Sequence, residues 1–307
     1  MNKDLILLGM QNQGGGPPFA SNTHGTVFVR SNKKLLARET HGTVFVRNKK
    51  QLLARETHMT VFVKKYIPTP AAPDTVVGLQ LWLDAADSST LFDSTTGGLP
   101  VVGGGKVARW EDKSGNANHA TQGTANERPL RKTNDTNGND VVLFDGANDW
   151  FSLASGLDLS GDVTIFTVIK RNASGINNPV LASQNSLVVY ASYWYNDDII
   201  YYTAASSSVR FISSTVSTDT GVFLLESQNH TNKTTPSRIF KNGTEVASGS
   251  IGTSIETYNS VGFRDKNSGE FMDGEICEIV HYNRELSSQE VLEVRNYLAN
   301  KWGITLN

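Results

Sequence analysis

Carboxylates spaced to share a proton would be the first sign of chemistry in this 307-residue chain. Retaining glycosidases need two carboxyl groups about 5 Å apart across a cleft. Glu270, Asp273 and Glu275 come nearest, in Ser268-Gly269-Glu270-Phe271-Met272-Asp273-Gly274, which reads as a loop entering a strand. Glu275 and Glu278 are three apart, so strict strand alternation turns them to opposite faces. Three of the six histidines, His24, His41 and His58, belong to a repeat; His119, His230 and His281 stand singly, without metal-ligand spacing. The reading is therefore non-enzymatic, with no catalytic residue and no required cofactor.

Two oxygen-rich stretches, Asp112 with Asn116 and Asn118, and Asp145 with Asn148 and Asp149, supply the hard ligands that calcium takes. The same composition makes ordinary turns whose side chains cap their own backbone. Turns are the stronger reading, since neither spacing matches a dedicated calcium loop. For glycan binding the best stretch is Tyr193, Trp194, Tyr195, Asn196 and Asp197, aromatics for stacking beside amide and carboxylate groups. Four aromatics between Tyr190 and Tyr195 cannot all point into one core face; the alternative packs Tyr190 and Trp194 inside and leaves the others covering a sheet. The single cysteine, Cys277, alternates with Ile279 in a strand-like run and reads as a small core hydrophobe.

The N-terminal region is organised differently. Thr23-His24-Gly25-Thr26-Val27-Phe28-Val29-Arg30 returns at Thr40–Arg47 and at Thr57–Lys64, a period of 17 residues. Each copy carries a β-branched and aromatic run followed by a Leu-Leu-Ala-Arg run, which predicts a strand–turn–strand meander with His-Gly at the return turn. Units this small bury little surface alone and ask for a partner. The residues expected to anchor it are Val27, Phe28, Val29 and Arg30; Val44, Phe45, Val46 and Arg47; and Val61, Phe62, Val63 and Lys64. Between His24 and Lys65 there are ten Lys/Arg against two acids, in a chain whose net charge is -2. A basic arm on an acidic body suits docking on an acidic protein surface. Nucleic acid is disfavoured, because the basic positions lack interleaved aromatic platforms.

These signals divide the chain into a tether (1–22), the repeat arm (23–65), a proline-rich linker (66–74) and a body (75–307). The apolar run Leu5–Leu8 is too short for a signal peptide or a membrane span, so the chain is expected to be made in the cytoplasm without a signal peptide, with no membrane partner. In the body, short apolar runs recur between Gly, Asn, Asp and Ser clusters: Gly78–Leu83, Val141–Phe144, Val163–Ile169, Leu187–Tyr190, Ile199–Tyr202, Val222–Glu226, Arg238–Phe240 and Ile276–Tyr282. That density predicts an all-β antiparallel sandwich. Lys241-Asn242-Gly243-Thr244 predicts a hairpin. Ser287 and Glu290 form a capping box ahead of a C-terminal helix with Val291, Val294, Tyr297 and Leu298 on one face, stopped at Gly303.

Leu81-Trp82-Leu83-Asp84-Ala85-Ala86-Asp87, Trp110-Glu111-Asp112-Lys113-Ser114-Gly115-Asn116, Val142-Leu143-Phe144-Asp145-Gly146 and Gly274-Glu275-Ile276 through Tyr282-Asn283-Arg284 occur in an order that resembles concanavalin A-like, laminin-G-type jelly-roll domains. The resemblance covers about residues 76–307 and implies a lectin-like sandwich with a terminal helix. Glycosidases of this fold present Glu-x-Asp-x-Glu on one strand, a run this chain lacks. Such domains occur in bacterial surface proteins and phage virion proteins. An adhesive arm, a linker and a displayed sandwich then suggest a phage capsid-decoration or head-fibre protein with weak attachment to glycans or host surfaces. A tail-associated receptor-binding adhesin is the alternative, and a polysaccharide depolymerase fits less well. The three copies also suggest either a pseudo-threefold unit within one chain or the three-chain shaft of a homotrimer.

Overall fold

The computed structural model describes residues 70–307 apart from 175, 184–188, 196–197, 206–207, 214–219, 231–235, 250–256 and 266–268; before residue 70, and for 189–213 and 265, it describes strand backbone. The chain divides into two compact units, Met1–Pro68 and Thr69–Asn307.

In the first unit each copy of the repeat contributes one short and one long strand. These are β1 (Phe19–Ser21), β2 (His24–Arg30), β3 (Leu35–Arg38), β4 (His41–Arg47), β5 (Leu52–Arg55) and β6 (His58–Lys64). They do not form the expected meander. The long strands make one parallel sheet, β2-β4-β6, and the short ones another, β1-β3-β5. His24 lies opposite His41 and His41 opposite His58, and the register holds to Arg30, Arg47 and Lys64. A meander would pair each long run with a chemically different short run. Parallel stacking instead pairs each residue with the corresponding residue of the next copy, the arrangement an uninterrupted period favours. The His-Gly pair lies inside the strand rather than in a turn, with Gly42 opposite Met59, so glycine is not required there. Strand β1 is a degenerate earlier half-copy, with Ala20 paired to Ala37 and Ala37 to Ala54.

The second unit runs through β7 (Leu79–Asp84), β8 (Leu91–Phe92), β9 (Arg109–Trp110), β10 (Ala120–Thr121), β11 (Leu130–Thr136), β12 (Asn139–Asp145), β13 (Phe151–Asp158), β14 (Val163–Arg171) and β15 (Asn178–Ala182). It continues with β16 (Val189–Tyr195), β17 (Asp198–Ala205), β18 (Ser208–Ser213), β19 (Val222–Asn229), β20 (Ser237–Lys241), β21 (Thr244–Gly249), β22 (Thr257–Val261), β23 (Phe263–Asp265), β24 (Glu270–Phe271), β25 (Asp273–Tyr282) and the helix α1 (Ser288–Trp302). The result is the all-β antiparallel sandwich with a C-terminal helix that the patterning predicts. One sheet has the order β18-β17-β16-β15-β22-β13-β10-β9-β8, the other β11-β12-β25-β14-β19-β20-β21 with β7 also on β25.

Two apolar layers follow from this arrangement. Between the sheets lie Leu81, Leu83, Trp110, Phe144, Phe151, Ile165, Ile169, Phe223, Leu225 and Ile279. On the other face of the second sheet α1 buries Val291, Val294, Leu298 and Trp302 against Trp82, Phe166, Val168, Leu224, Val280 and Tyr282. The central strand β14 is therefore covered on both sides, which is why Val163–Ile169 reads as a nearly continuous apolar run. Each side chain buried under the helix contributes about 1.5–3 kcal/mol. The capping box forms as expected, Ser287 accepting from the Glu290 N–H and the Glu290 side chain accepting from the Ser287 N–H. Gly303 ends the helix at φ 68°, a left-handed value. At the hairpin Lys241 pairs with Thr244 across Asn242 (φ 49°) and Gly243 (φ 85°). Within the proline-rich stretch, Ala71 and Ala72 pack on the helix-side layer and the Pro73 carbonyl accepts from Tyr282 Oη at 2.9 Å.

Strand β25 departs from strict alternation. Glu278 lies opposite Val168 but Ile276 lies opposite Ile169, leaving Cys277 as an extra residue. This β-bulge puts Cys277 on the helix side with Val280, while Ile276 and Ile279 face the inter-sheet core. The expectation that Cys277 sits beside Ile279 is corrected accordingly. So is the opposite-face expectation for Glu275 and Glu278: both now belong to the helix-side face.

Candidate functional site

Each carboxylate near the expected glycosidase position is committed to a local partner. Glu275 is buried between Lys132 Nζ (2.7 Å) and Lys170 Nζ (3.3 Å). Those two lysines also hold Asp135, whose carboxyl is pulled down to about 2 despite the cost of partial burial. Glu270 pairs with Arg264 and accepts from Asn177 Nδ2 at 3.0 Å, and Asp273 accepts from Asn172 Nδ2 at 2.7 Å. Glu278 is sealed under α1, accepting from Trp82 Nε1 (2.7 Å) and Trp302 Nε1 (2.6 Å) beside Lys301 Nζ (2.8 Å). Burial pushes its carboxyl up, with the nearby Asp84 adding repulsion, while Lys301 opposes both. Asp84 in turn is bridged by Lys113 and Lys301. This cluster rivets the helix to β7 and β25, with both carboxylates buried.

The two oxygen-rich loops resolve differently. Asp112 Oδ1 accepts from the backbone N–H groups of Trp82 and Ser114, both at 2.9 Å. Its Oδ2 accepts from Ser114 Oγ (2.7 Å) and the Asn118 N–H (3.0 Å). Asn116 and Asn118 turn their amide nitrogens onto the carbonyls of Leu79 and Gln80. In the second loop Asp145 Oδ1 accepts from the N–H groups of Ala147 (2.9 Å), Asn148 (3.0 Å) and Asp149 (3.2 Å). With its amide turned to donate, Asn148 reaches the Asn126 carbonyl and Asp145 Oδ2 at 3.2 Å each. Lys106 Nζ stands 3.7 Å from Asp149 Oδ1 and donates to the Arg128 carbonyl at 2.9 Å. The first set thus spends the Asp112 carboxylate and both Asn amide nitrogens on the fold, and in the second Lys106 faces the Asp149 carboxylate.

A concave surface does exist along α1. A groove of about 780 Å³ lies between the start of the helix and the β19–β20 edge, with Phe240, Leu286, Val291 and Leu292 along it and Arg238, Arg284 and Arg295 among its walls. Arg295 is fixed by Glu226 (2.7 Å) and stacks over the Phe240 ring at 5.3 Å. Arg284 is held by Glu290 (2.6 Å), which keeps that carboxyl down at about 2. Apolar floor, preset guanidinium donors and carboxylates suit a polyhydroxylated ligand, which needs both a surface to stack on and a hydrogen-bonding rim. Sequence reasoning missed this groove: it read the Arg238–Phe240 run, the Ser287 cap and Val291 as parts of separate elements, and only the fold sets β19, β20, the connection into α1 and α1 itself around one concavity.

The other expected sites stand as follows. Tyr193, Trp194 and Tyr195 end strand β16, opposite Ile200, Ile199 and Asp198, while their side chains, and all of Asn196 and Asp197, lie outside the described residues. The anchoring residues Val27–Arg30, Val44–Arg47 and Val61–Lys64 occupy matching positions of the parallel ladder; their side chains are likewise outside the described residues.

No protein-family model matches the chain, and no curated protein does. Solved structures do. The chain is similar to domain 4 of the extracellular arabinanase AbnA from Geobacillus stearothermophilus, determined with arabinotriose (12% identity, 71% of this chain and 98% of that one, TM-score 0.45). It is similar to the binding domain of Paraclostridial Mosquitocidal Protein 1 (14% identity, 66% and 54%, TM-score 0.50) and to Trypanosoma rangeli sialidase bound to the inhibitor DANA (14% identity, 78% and 36%, TM-score 0.47). It thus spans about half the length of the toxin chain and about a third of the sialidase chain. At these identities the likeness is one of fold, and with the toxin's binding domain this chain shares an antiparallel β-sandwich.

Proposed function

We propose that the chain is a non-catalytic attachment protein of a phage virion, of the capsid-decoration or head-fibre type. Its ladder docks on another virion protein and its body, a concanavalin A-like, laminin-G-type sandwich, displays a weak glycan-binding surface. The observation that carries this reading is the in-register parallel ladder. Strands that pair only with their own kind inside the unit present backbone donors and acceptors at the outer edges of β2 and β6, the groups used in strand addition. The positive charge of the repeat favours an acidic receiving surface. The sandwich supports the display half, since its fold neighbour in the toxin is a binding domain. The arginine-rimmed groove along α1 and, separately, the Tyr193–Asp197 stretch are the two candidate surfaces for a glycan. That same fold likeness favours a second reading, a tail-associated adhesin whose sandwich is the receptor-binding tip. A depolymerase is a weaker reading, because the candidate carboxylates are engaged in ion pairs.

Light scattering on the full chain and on residues 69–307, at low and high salt, tests the division of labour. A trimeric full chain with a monomeric 69–307 makes the ladder an oligomerising shaft; two monomers leave it to an external shell. An assembly formed equally by 69–307 would refute the arm's role. Copy number per virion separates hundreds of decoration subunits from the few dozen of a tail part. On a glycan array, Arg284→Ala and Phe240→Ala should weaken whatever signal the full chain gives, and unchanged signals would remove the groove from the proposal.

A further inference from the structure

The sandwich gathers one nitrogen and two carboxylate ligands at the open end of three neighbouring strands. In the order β25-β14-β19, Val163 pairs with Asn229 and Thr164 with Tyr282. The residues just past those pairs are Asp162 before β14, His230 after β19 and Glu285 in the connection from β25 to α1. Strand register alone therefore converges three side chains separated by 68 and 55 positions in sequence. Their ligand atoms lie within 4.8 Å of one another, and His230 Nδ1 is 3.5 Å from Glu285 Oε2.

His230 and Glu285 rest on fixed backbone. The His230 N–H donates to Ser237 Oγ at 3.0 Å, and Ser237 Oγ donates to Asn229 Oδ1 at 3.2 Å. Around Glu285, Thr164 Oγ1 donates to the Arg284 carbonyl and accepts from the Leu286 N–H, both at 3.1 Å. The His230 side chain is only 3% exposed, whereas Glu285 is 52% exposed. A buried imidazole fixed beside a solvent-reachable carboxylate leaves an entry path from one side.

We infer that Asp162, His230 and Glu285 form a binding site for a divalent transition-metal ion, with zinc the best fit. Ligands at about 2.0–2.2 Å around zinc stand roughly 3.3–3.5 Å apart in a tetrahedron, so the observed spacing closes with small side-chain rotations. The imidazole selects against calcium and magnesium, which take all-oxygen shells of six or more ligands. Three protein ligands leave a coordination position for water. Glu285 also lines the groove along α1, so the ion would sit at the end of that groove. The site stands whether or not the groove takes a glycan.

The test is cobalt and zinc titration of the EDTA-treated full chain, read by the visible absorption of bound cobalt and by the thermal midpoint. His24, His41 and His58 share one register position of the ladder, and any histidine can give background binding, so the informative quantity is the difference between wild type and site variants. Wild type should bind one more cobalt ion per chain than His230→Gln, displaceable by zinc, and zinc should raise its midpoint. Glu285→Gln changes an exposed side chain and should leave the apo fold intact while weakening this site at least tenfold; Asp162→Asn should do the same. Calcium should neither compete nor shift the midpoint. Equal cobalt stoichiometry and affinity in wild type, Glu285→Gln and Asp162→Asn would overturn the assignment, and would leave His230 and Glu285 as a simple ion pair.

Discussion

Asp112 and Asp149 sit in loops of nearly the same composition, and both are almost fully buried, yet they do opposite things. Asp112 takes four hydrogen bonds, three of them from backbone N–H groups, and so joins the segments Leu79–Trp82 and Ser114–Asn118. Asp149 receives one backbone hydrogen bond at 3.2 Å, and its Oδ1 accepts none. Burial and the neighbouring Asp145 raise its carboxyl to about 6, with Lys106 opposing them. Loop composition does not distinguish a carboxylate that holds a fold from one that strains it; the number of donors converging on each oxygen does.

The largest effect should come from removing a saturated acceptor. Asp112→Ala strands buried donors from three positions and should cost about 3–5 kcal/mol in chemical denaturation. Glu278→Ala, which strands two indole N–H groups and Lys301, should cost a similar ~3–5 kcal/mol. If Asp149→Ala proved as costly as Asp112→Ala, the contrast would collapse.

Acid titration comes next, with His281 as a third case. Its ring stacks on Tyr258, its Nδ1 is 2.8 Å from Tyr258 Oη, and burial lowers its pKa to about 3. The unfolded chain binds this proton near pH 6.5 and the folded one does not, so stability present above about 6.5 is lost as pH falls toward 3. The slope from this group is at most about 1.4 kcal/mol per pH unit, and His281→Gln should flatten it. Asp149 acts in the other direction. Its folded pKa is raised, so its ionisation costs stability as pH climbs from about 4 to 6. Asp149→Asn should therefore stabilise the protein by about 1 kcal/mol at pH 7 and leave a steeper acid limb than wild type. The smallest change belongs to the surface: Arg238→Ala, which removes a 3.9 Å pair with Glu245, should shift stability by less than ~0.5 kcal/mol.

Much of the fold was legible because it is locally encoded. The hairpin at Asn242-Gly243 and the cap at Ser287 each depend on four consecutive residues. Strands β12, β14, β19 and β25 announce themselves by β-branched runs. Strand β11, Leu130–Thr136, carries Arg131, Lys132, Asn134 and Asp135, so it reads as loop; its pairing to β12, interrupted by a register shift between Lys132 and Thr136, holds it in the sheet. Parallel stacking in the ladder was missed because a strand–turn–strand reading looks only at neighbours along the chain, while the partner of each residue lies one full period away. For the site, composition drew attention to Asp112 and Asp145, and His230 looked solitary until its strand was set beside β14 and β25.

What the amino-acid sequence determined by itself was the class of the strongly patterned elements, the period of the arm, the Asn242-Gly243 turn and the helix ends, since these follow from side-chain type and spacing within a few residues. Only the tertiary structure decided which faces those elements present and which distant residues meet. A single extra residue at Cys277 reversed the facing of half of β25, and register between three strands placed Asp162, His230 and Glu285 together. Both outcomes depend on hydrogen-bond register across the sheet, a long-range quantity that no short stretch of chain contains.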